Sequence, residues 1–302
     1  MQLSAKIKGS ILVCLGGASY GIMASLSKRA MGEGFAWNEV VAAQPIGACV
    51  LYLCALATAK ALGHHFVSIE LRSAVRLGAM GACSILTSVL YNASLARIPA
   101  SMAVVVLFQY TWMGVLFQTI AERRPPSVTQ IASAGLAVLG SILASGMLSQ
   151  TNWTFDPIGI ALCFAAALCM AAFMHVSGRV EPDANPLQRG IIACMGATII
   201  GTFVCPSILT GEALQNGLWS YGLALGAAGL FMPILLFGFA TPLIPAGTAT
   251  VLASSELPVG IAAAAVLLGE PIDMPMAIGV IVVLASVFIS AASANANADT
   301  VS

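Results

Sequence analysis

The sequence predicts an all-α integral membrane protein of ten transmembrane helices, arranged as two inverted five-helix repeats. Three observations lead there. Of the 302 residues, 59% are hydrophobic and only 8% are charged, whereas a soluble domain carries about 25% charge to clothe its surface. Apolar runs of about 20 residues, the length that crosses the hydrocarbon core, recur along the whole chain. A short motif, Ile-Pro-Ala, returns with its surroundings 146 residues after its first appearance.

The ten runs fall at roughly 9–27, 40–59, 77–96, 100–121, 128–148, 157–177, 190–209, 217–239, 247–268 and 274–293. Mean hydropathy over the chain is +0.95. The connections are short, hold nearly all the charge, and leave no room for a soluble domain. With the N-terminus in the cytoplasm, the inner segments carry Lys6, Lys8, Lys60, Arg72, Arg76, Arg123, Arg124, Arg179 and Arg189, and the outer ones only Lys28, Arg29 and Arg97. Basic residues collect on the cytoplasmic side, so both termini are expected there. His64 and His65 fall in a basic inner loop, and His175 near the same surface.

The repeat is carried by "LARIPASMAVVV" (95–106) and "TPLIPAGTATVL" (241–252). Each is followed by an apolar helix, a Glu- and Pro-containing turn ("AERRPP", 121–126, and "GEPIDMP", 269–275) and a last helix. One unit spans 6–148 and the other 157–293, with a short polar cytoplasmic tail at 294–302. Five is odd, so the two copies enter the membrane from opposite sides. Transporters use this plan and place their substrate near the midplane between the copies.

Several classes are disfavoured. The net charge is zero, from 12 basic and 12 acidic residues, which gives no case for nucleic acid. Eight irregularly spaced cysteines lie in apolar runs, without C-x-x-C or a histidine at ligand spacing, so no metal site is expected. No phosphate loop of the G-x-x-x-x-G-K-[ST] type occurs, and no other cofactor is implied. Clustered acid–base residues at membrane depth, which an enzyme would need, are missing, as is the polar lining of a channel.

Chemistry concentrates at one place. Between Leu243 and Gly269 the only charged side chain is Glu256. An acid at a helix centre costs about 2.5–3.5 kcal/mol, so it persists with a cavity, a partner or a changed protonation state. Pro258 removes a backbone hydrogen bond, from the Ser254 carbonyl, and favours a bend; Ser254 and Ser255 can satisfy nearby polar groups. Glu256 reads either as a proton-sensing or amine-binding carboxylate, or as a neutral acid tying helices together. In the fourth span Gln109, Tyr110 and Trp112 stand mid-membrane, where Trp and Tyr are uncommon. Helical spacing groups 108 with 112 and 115, and 109 with 113. They are candidate cavity-wall residues, with ordinary packing as the alternative. Tyr20, Gln44 beside Pro45, Tyr91 and Asn92 are further candidates. Lys28 and Arg29 near Glu33 and Glu39 read as an interfacial pair or an outer gate. Gly222 and Gly226, at G-x-x-x-G spacing, mark a close helix approach within the bundle.

The two five-helix units, the segment "IPAS…LFQYTWMGVLFQTIAERRPP" and its counterpart "IPAGTATVLASSELPVGIAAAAVLLGEP" resemble the drug/metabolite transporter superfamily, EamA type, over nearly the whole chain. Glu256, Pro258, Gly269 and Glu270 match the E-x-P helix and Gly-Glu turn of such proteins. The first unit departs from it, with Gln109, Tyr110 and Trp112 in the corresponding stretch. The resemblance implies a ten-helix alternating-access carrier in a bacterial inner membrane that exports small metabolites. No Lys or Arg lies near a midplane to pair with a phosphate. One acid and several aromatics suit an amino acid, aromatic or bulky apolar ones first, or else a hydrophobic cation. The expected partners are a small-molecule substrate, membrane lipid and protons, and the expected state is a monomer or weak homodimer.

Overall fold

The computed structural model describes residues 2–63, 66–146, 156–177, 179–182, 184–269 and 271–296. His64, His65, Glu270 and the end of the tail lie outside the described residues. The described residues contain helices and no strand. That follows from the solvent: hydrocarbon offers no hydrogen bonds, so each backbone group must be satisfied within its own helix or by a neighbour.

The first unit comprises α1 (Gln2–Gly32), α2 (Trp37–Ala61), α3 (Leu71–Leu95), the broken fourth span α4 (Ala100–Leu107) and α5 (Tyr110–Glu122), and α6 (Val128–Ala144). The second comprises α7 (Pro157–Val176), α8 (Pro186–Val204), a broken eighth span with α9 (Trp219–Gly226) and α10 (Met232–Ala240), a broken ninth span with α11 (Ala246–Leu252) and α12 (Glu256–Leu268), and α13 (Met274–Ala296). Among the described residues nine spans are long and apolar enough to cross a bilayer, and α6, at 17 residues, is a shorter apolar helix at the position of the expected fifth span.

The two units correspond residue for residue around their broken helices. A shift of 146 carries Pro99 onto Pro245, both helix N-caps with φ/ψ of −57°/144° and −60°/142°. It carries α5 onto α12 from Tyr110–Glu256 to Glu122–Leu268. It also carries Arg123 onto Gly269, both left-handed C-caps at φ 51° and 70°.

Packing obeys the same two-fold. α3 lies on α7 and α8, as α9–α10 lies on α1 and α2; α5 meets α7 as α12 meets α1; α6 runs along α13. The paired contacts are built alike, on glycines that let backbones touch. A Cβ on Gly47 of α2 would fall 1.9 Å from the Gly222 carbonyl oxygen of α9, and one on Gly81 of α3 would fall 1.8 Å from that of Ala193 in α8. Gly226 also faces α2, at Ala48 and Gly47. Both glycines of the G-x-x-x-G pair therefore serve contacts inside the bundle.

The ends are fastened by polar links. Asp156 caps α7 through the Ile158 and Gly159 amides and accepts from Arg97 Nη1 at 3.0 Å. That guanidinium holds its carboxyl below the usual carboxylate range. Arg29 in the last turn of α1 and Glu33 just beyond it lie 3.9 Å apart, and Tyr221 of α9 donates to Glu33. His175, at the end of α7, stacks edge-on with Phe117 and lies 2.8 Å from Arg179 Nη1.

Gly47→Val and Gly81→Val are each expected to cost about 1–3 kcal/mol by overpacking. Gly135→Ala, whose Cβ would meet nothing, is expected to leave stability unchanged or raised. Thermal denaturation of the detergent-solubilised variants measures this.

Candidate functional site

The site is built where helices break. In the ninth span α11 gives way to a 3₁₀ turn at Ala253–Ser255 and α12 restarts at Glu256. Pro258 therefore stands in the first turn of α12, where a missing amide is tolerated. The fourth span breaks at the equivalent place, Phe108–Gln109, without any proline. There Gln109 and Thr111 amides reach back only three residues, to Val106 and Phe108, at 3.2 Å each. Proline is thus not the common cause; the two-fold position is.

Neighbouring helices hold these breaks. Ser255 Oγ donates to the Cys14 carbonyl of α1 at 2.8 Å, and Thr250 Oγ1 donates across the units to the Thr111 carbonyl at 3.2 Å. Gly17 and Gly21 bring α1 against the turn: a Cβ on Gly17 would fall 2.5 Å from the Ala253 carbonyl oxygen, and one on Gly21 2.4 Å from that of Glu256. In the eighth span, Pro233 follows a π-helical turn at Ala227–Phe231. Ser19 Oγ donates to the Ala228 carbonyl at 2.7 Å and Tyr52 Oη to that of Phe231 at 3.0 Å.

Glu256 sits at the first residue beyond this packed zone. Among the described residues no hydrogen bond or ion pair reaches its carboxylate, and it is half-buried rather than sealed. Tyr20 from α1, Tyr91 from α3 and Tyr110 from α5 lie within electrostatic range of it. Tyr110 is its mate under the 146-residue shift between the units. The Tyr110 Oη and the Ser254 Oγ are buried without hydrogen-bond partners of ordinary geometry. Tyr20 Oη lies 3.2 Å from Ser84 Oγ of α3. Buried polar atoms left unpaired are uncommon and costly.

Space around Glu256 is one-sided. Every residue from Ala246 to Ser255 is buried, whereas every residue from Pro258 to Gly269 is at least partly exposed, as is all of 86–93 in α3. Beyond Glu256, away from the termini, α12 and α3 are thus less enclosed by the rest of the bundle than the half nearer the termini. Toward the termini the way is closed. Tyr20, Phe237 and Phe173 form a ladder with ring centroids 6.2 and 6.1 Å apart. Below it Thr241 donates to the Ser177 carbonyl, and Gln118 Oε1 accepts from the Gly247 amide at 2.7 Å.

Other candidates fall elsewhere. Gln109 and Trp112 do not join Tyr110 beside Glu256: they lie on the far face of the fourth span, against α6, with Trp112 Nε1 donating to Gln109 Oε1 at 2.8 Å. Helical spacing accounts for this, because 109 and 112 are three residues apart and share a face whereas 110 and 112 point to opposite sides. Asn92 donates to the Ser88 carbonyl of its own helix. Gln44 is buried, donates to Met23 Sδ at 3.1 Å, and with Pro45 packs inside α2. Ser255 holds α1. The polar residues that sequence reasoning passed over, Ser19, Thr250 and Gln118, carry no motif and matter only for what they touch.

A ten-helix, two-fold, broken-helix fold with a single acid at the break is that of a membrane transporter. A family model described as the EamA-like transporter family matches residues 7–146 and again 157–292. The chain belongs to that family, within the drug/metabolite transporter superfamily. A solved crystal structure matches 94% of this chain and 97% of its own at a TM-score of 0.74 and 14% identity, a likeness of fold. No curated protein matches the chain.

Ser255→Ala removes the link to Cys14 and is expected to cost about 0.5–1.5 kcal/mol of stability while leaving the site's acid in place. A fall in melting temperature without loss of folded yield is the expected result.

Proposed function

We propose that this protein is a secondary exporter of small metabolites, amino acids with aromatic or bulky apolar side chains first, working by alternating access. One observation carries the reading: Glu256, the one acid of the broken ninth span, is half-buried, has no hydrogen-bond or ion-pair partner among the described residues, and lies within electrostatic range of Tyr20, Tyr91 and Tyr110. A carboxylate there attracts an ammonium group, and tyrosine faces suit both cations and apolar side chains. No midplane cation offers a counter-charge to a phosphorylated substrate. With the termini cytoplasmic, as the basic loops favour, the opening faces outward, and the Tyr20–Phe237–Phe173 ladder is the closed inner gate. Glu256, Tyr20, Tyr91 and Tyr110 are the substrate and proton site, and a proton competes with the substrate's positive group for the carboxylate.

A second reading, an exporter of hydrophobic cations, rests on the same acid and aromatic faces. Flux in proteoliposomes separates the two. Saturable flux of labelled phenylalanine or leucine, driven by a pH gradient, is expected. Glu256→Gln is expected to lower the gradient-driven component at least about tenfold, with folded yield unchanged. Flux of a quaternary ammonium compound but of no amino acid would establish the second reading. Unaltered gradient-driven flux in Glu256→Gln would remove the carboxylate from coupling.

A further inference from the structure

A groove lies on the outside of the bundle, on the far face of the fourth span from Glu256. It runs open between α5 and α6, with a volume of about 640 Å³. Trp112, Leu116 and Thr119 line it from α5, and Ile131, Gly135 and Val138 from α6. These are two facing stripes at four- and three-residue spacing, so the groove follows both helices. Its polar atoms at the mid-membrane end are already used: Trp112 Nε1 donates to Gln109 Oε1, and Gln109 Nε2 to the Val105 carbonyl. Nothing there is left to recognise a polar ligand.

Dimensions and charge indicate what does fit. From Gln109 to Thr119 the helix rises about 15 Å at 1.5 Å per residue. That is half of a hydrocarbon core of about 30 Å, the depth of one leaflet. The groove ends at Pro126, next to Arg123 and Arg124, which are exposed and form no ion pair among the described residues. Juxtamembrane arginines attract anionic headgroups. Gly135 adds an independent sign. A glycine inside a helix costs about 1 kcal/mol relative to alanine, and those of α2 and α3 are used for backbone contact. Gly135, by contrast, faces open space within 4 Å, so its missing side chain leaves room that no part of this chain fills.

We propose that this groove is a specific phospholipid site, holding one acyl chain along Trp112 and Gly135 while Arg123 and Arg124 bind an anionic headgroup. It is independent of the transported substrate. Trp112 itself reports occupancy. The full-length protein is reconstituted with phosphatidylglycerol or phosphatidylcholine brominated on the acyl chains, and Trp112→Phe is measured alongside to isolate that residue's share of fluorescence quenching. Trp112 is expected to be quenched about twofold or more by brominated phosphatidylglycerol relative to phosphatidylcholine at equal mole fraction. Arg123→Gln with Arg124→Gln should equalise the two lipids, and Gly135→Phe should lower quenching by both. If the double variant fails to fold, raising salt on the wild type should narrow the preference, because exposed charges are screened. Equal quenching by both lipids in the wild type would make the groove ordinary boundary surface and overturn the proposal. Absence of Trp112 quenching by either, with cross-linking through the groove between copies, would assign it to a second copy instead.

Discussion

A helix broken in the middle of a membrane leaves backbone groups that water cannot reach, and the rest of this structure is organised around satisfying them. The eighth and ninth spans break or loosen beside Pro233 and Pro258, and α1 attends to both. Ser19 donates to the Ala228 carbonyl of the eighth span, and Ser255 in the ninth-span turn donates its hydroxyl to the Cys14 carbonyl, which ties that turn to α1 through a side chain rather than through its own backbone. Gly17 and Gly21 make that contact possible by removing the side chains that would hold α1 away. The cost of opening the backbone is met by close packing, and only a glycine-rich α1 can approach so closely.

The same arrangement exposes one acid. Glu256 begins α12 immediately after the packed turn and is half-buried there. Its mate under the repeat is Tyr110, so an acid in one unit corresponds to a phenol in the other. The units are thus alike in backbone and different in chemistry, and the duplicated fold carries one acid at its breaks rather than two. The lipid-facing groove has a different origin, since it lies between consecutive helices of one unit.

Much of the fold was legible in the residues. The ten spans, the odd number per unit and the 146-residue shift follow from hydropathy and from two Ile-Pro-Ala motifs. Glu256 stood out because an isolated charge in an apolar run is costly wherever the chain folds. The break at Phe108–Gln109 was not legible, because no proline or glycine announces it. Gln109 and Trp112, three residues apart, share a face as helical spacing requires, but which way that face points depends on what packs against the span, here α6.

By itself, then, the sequence determined that the chain spans the membrane in two related units and that the ninth span carries a lone acid, because hydropathy and charge act through composition and spacing alone. Only the tertiary structure decided that this acid follows a helix break, half-buried and without a hydrogen-bond partner among the described residues. It also decided that Ser19, Thr250 and Gln118 bear weight. Those outcomes depend on contacts between residues more than a hundred positions apart, set by where backbones without side chains can touch.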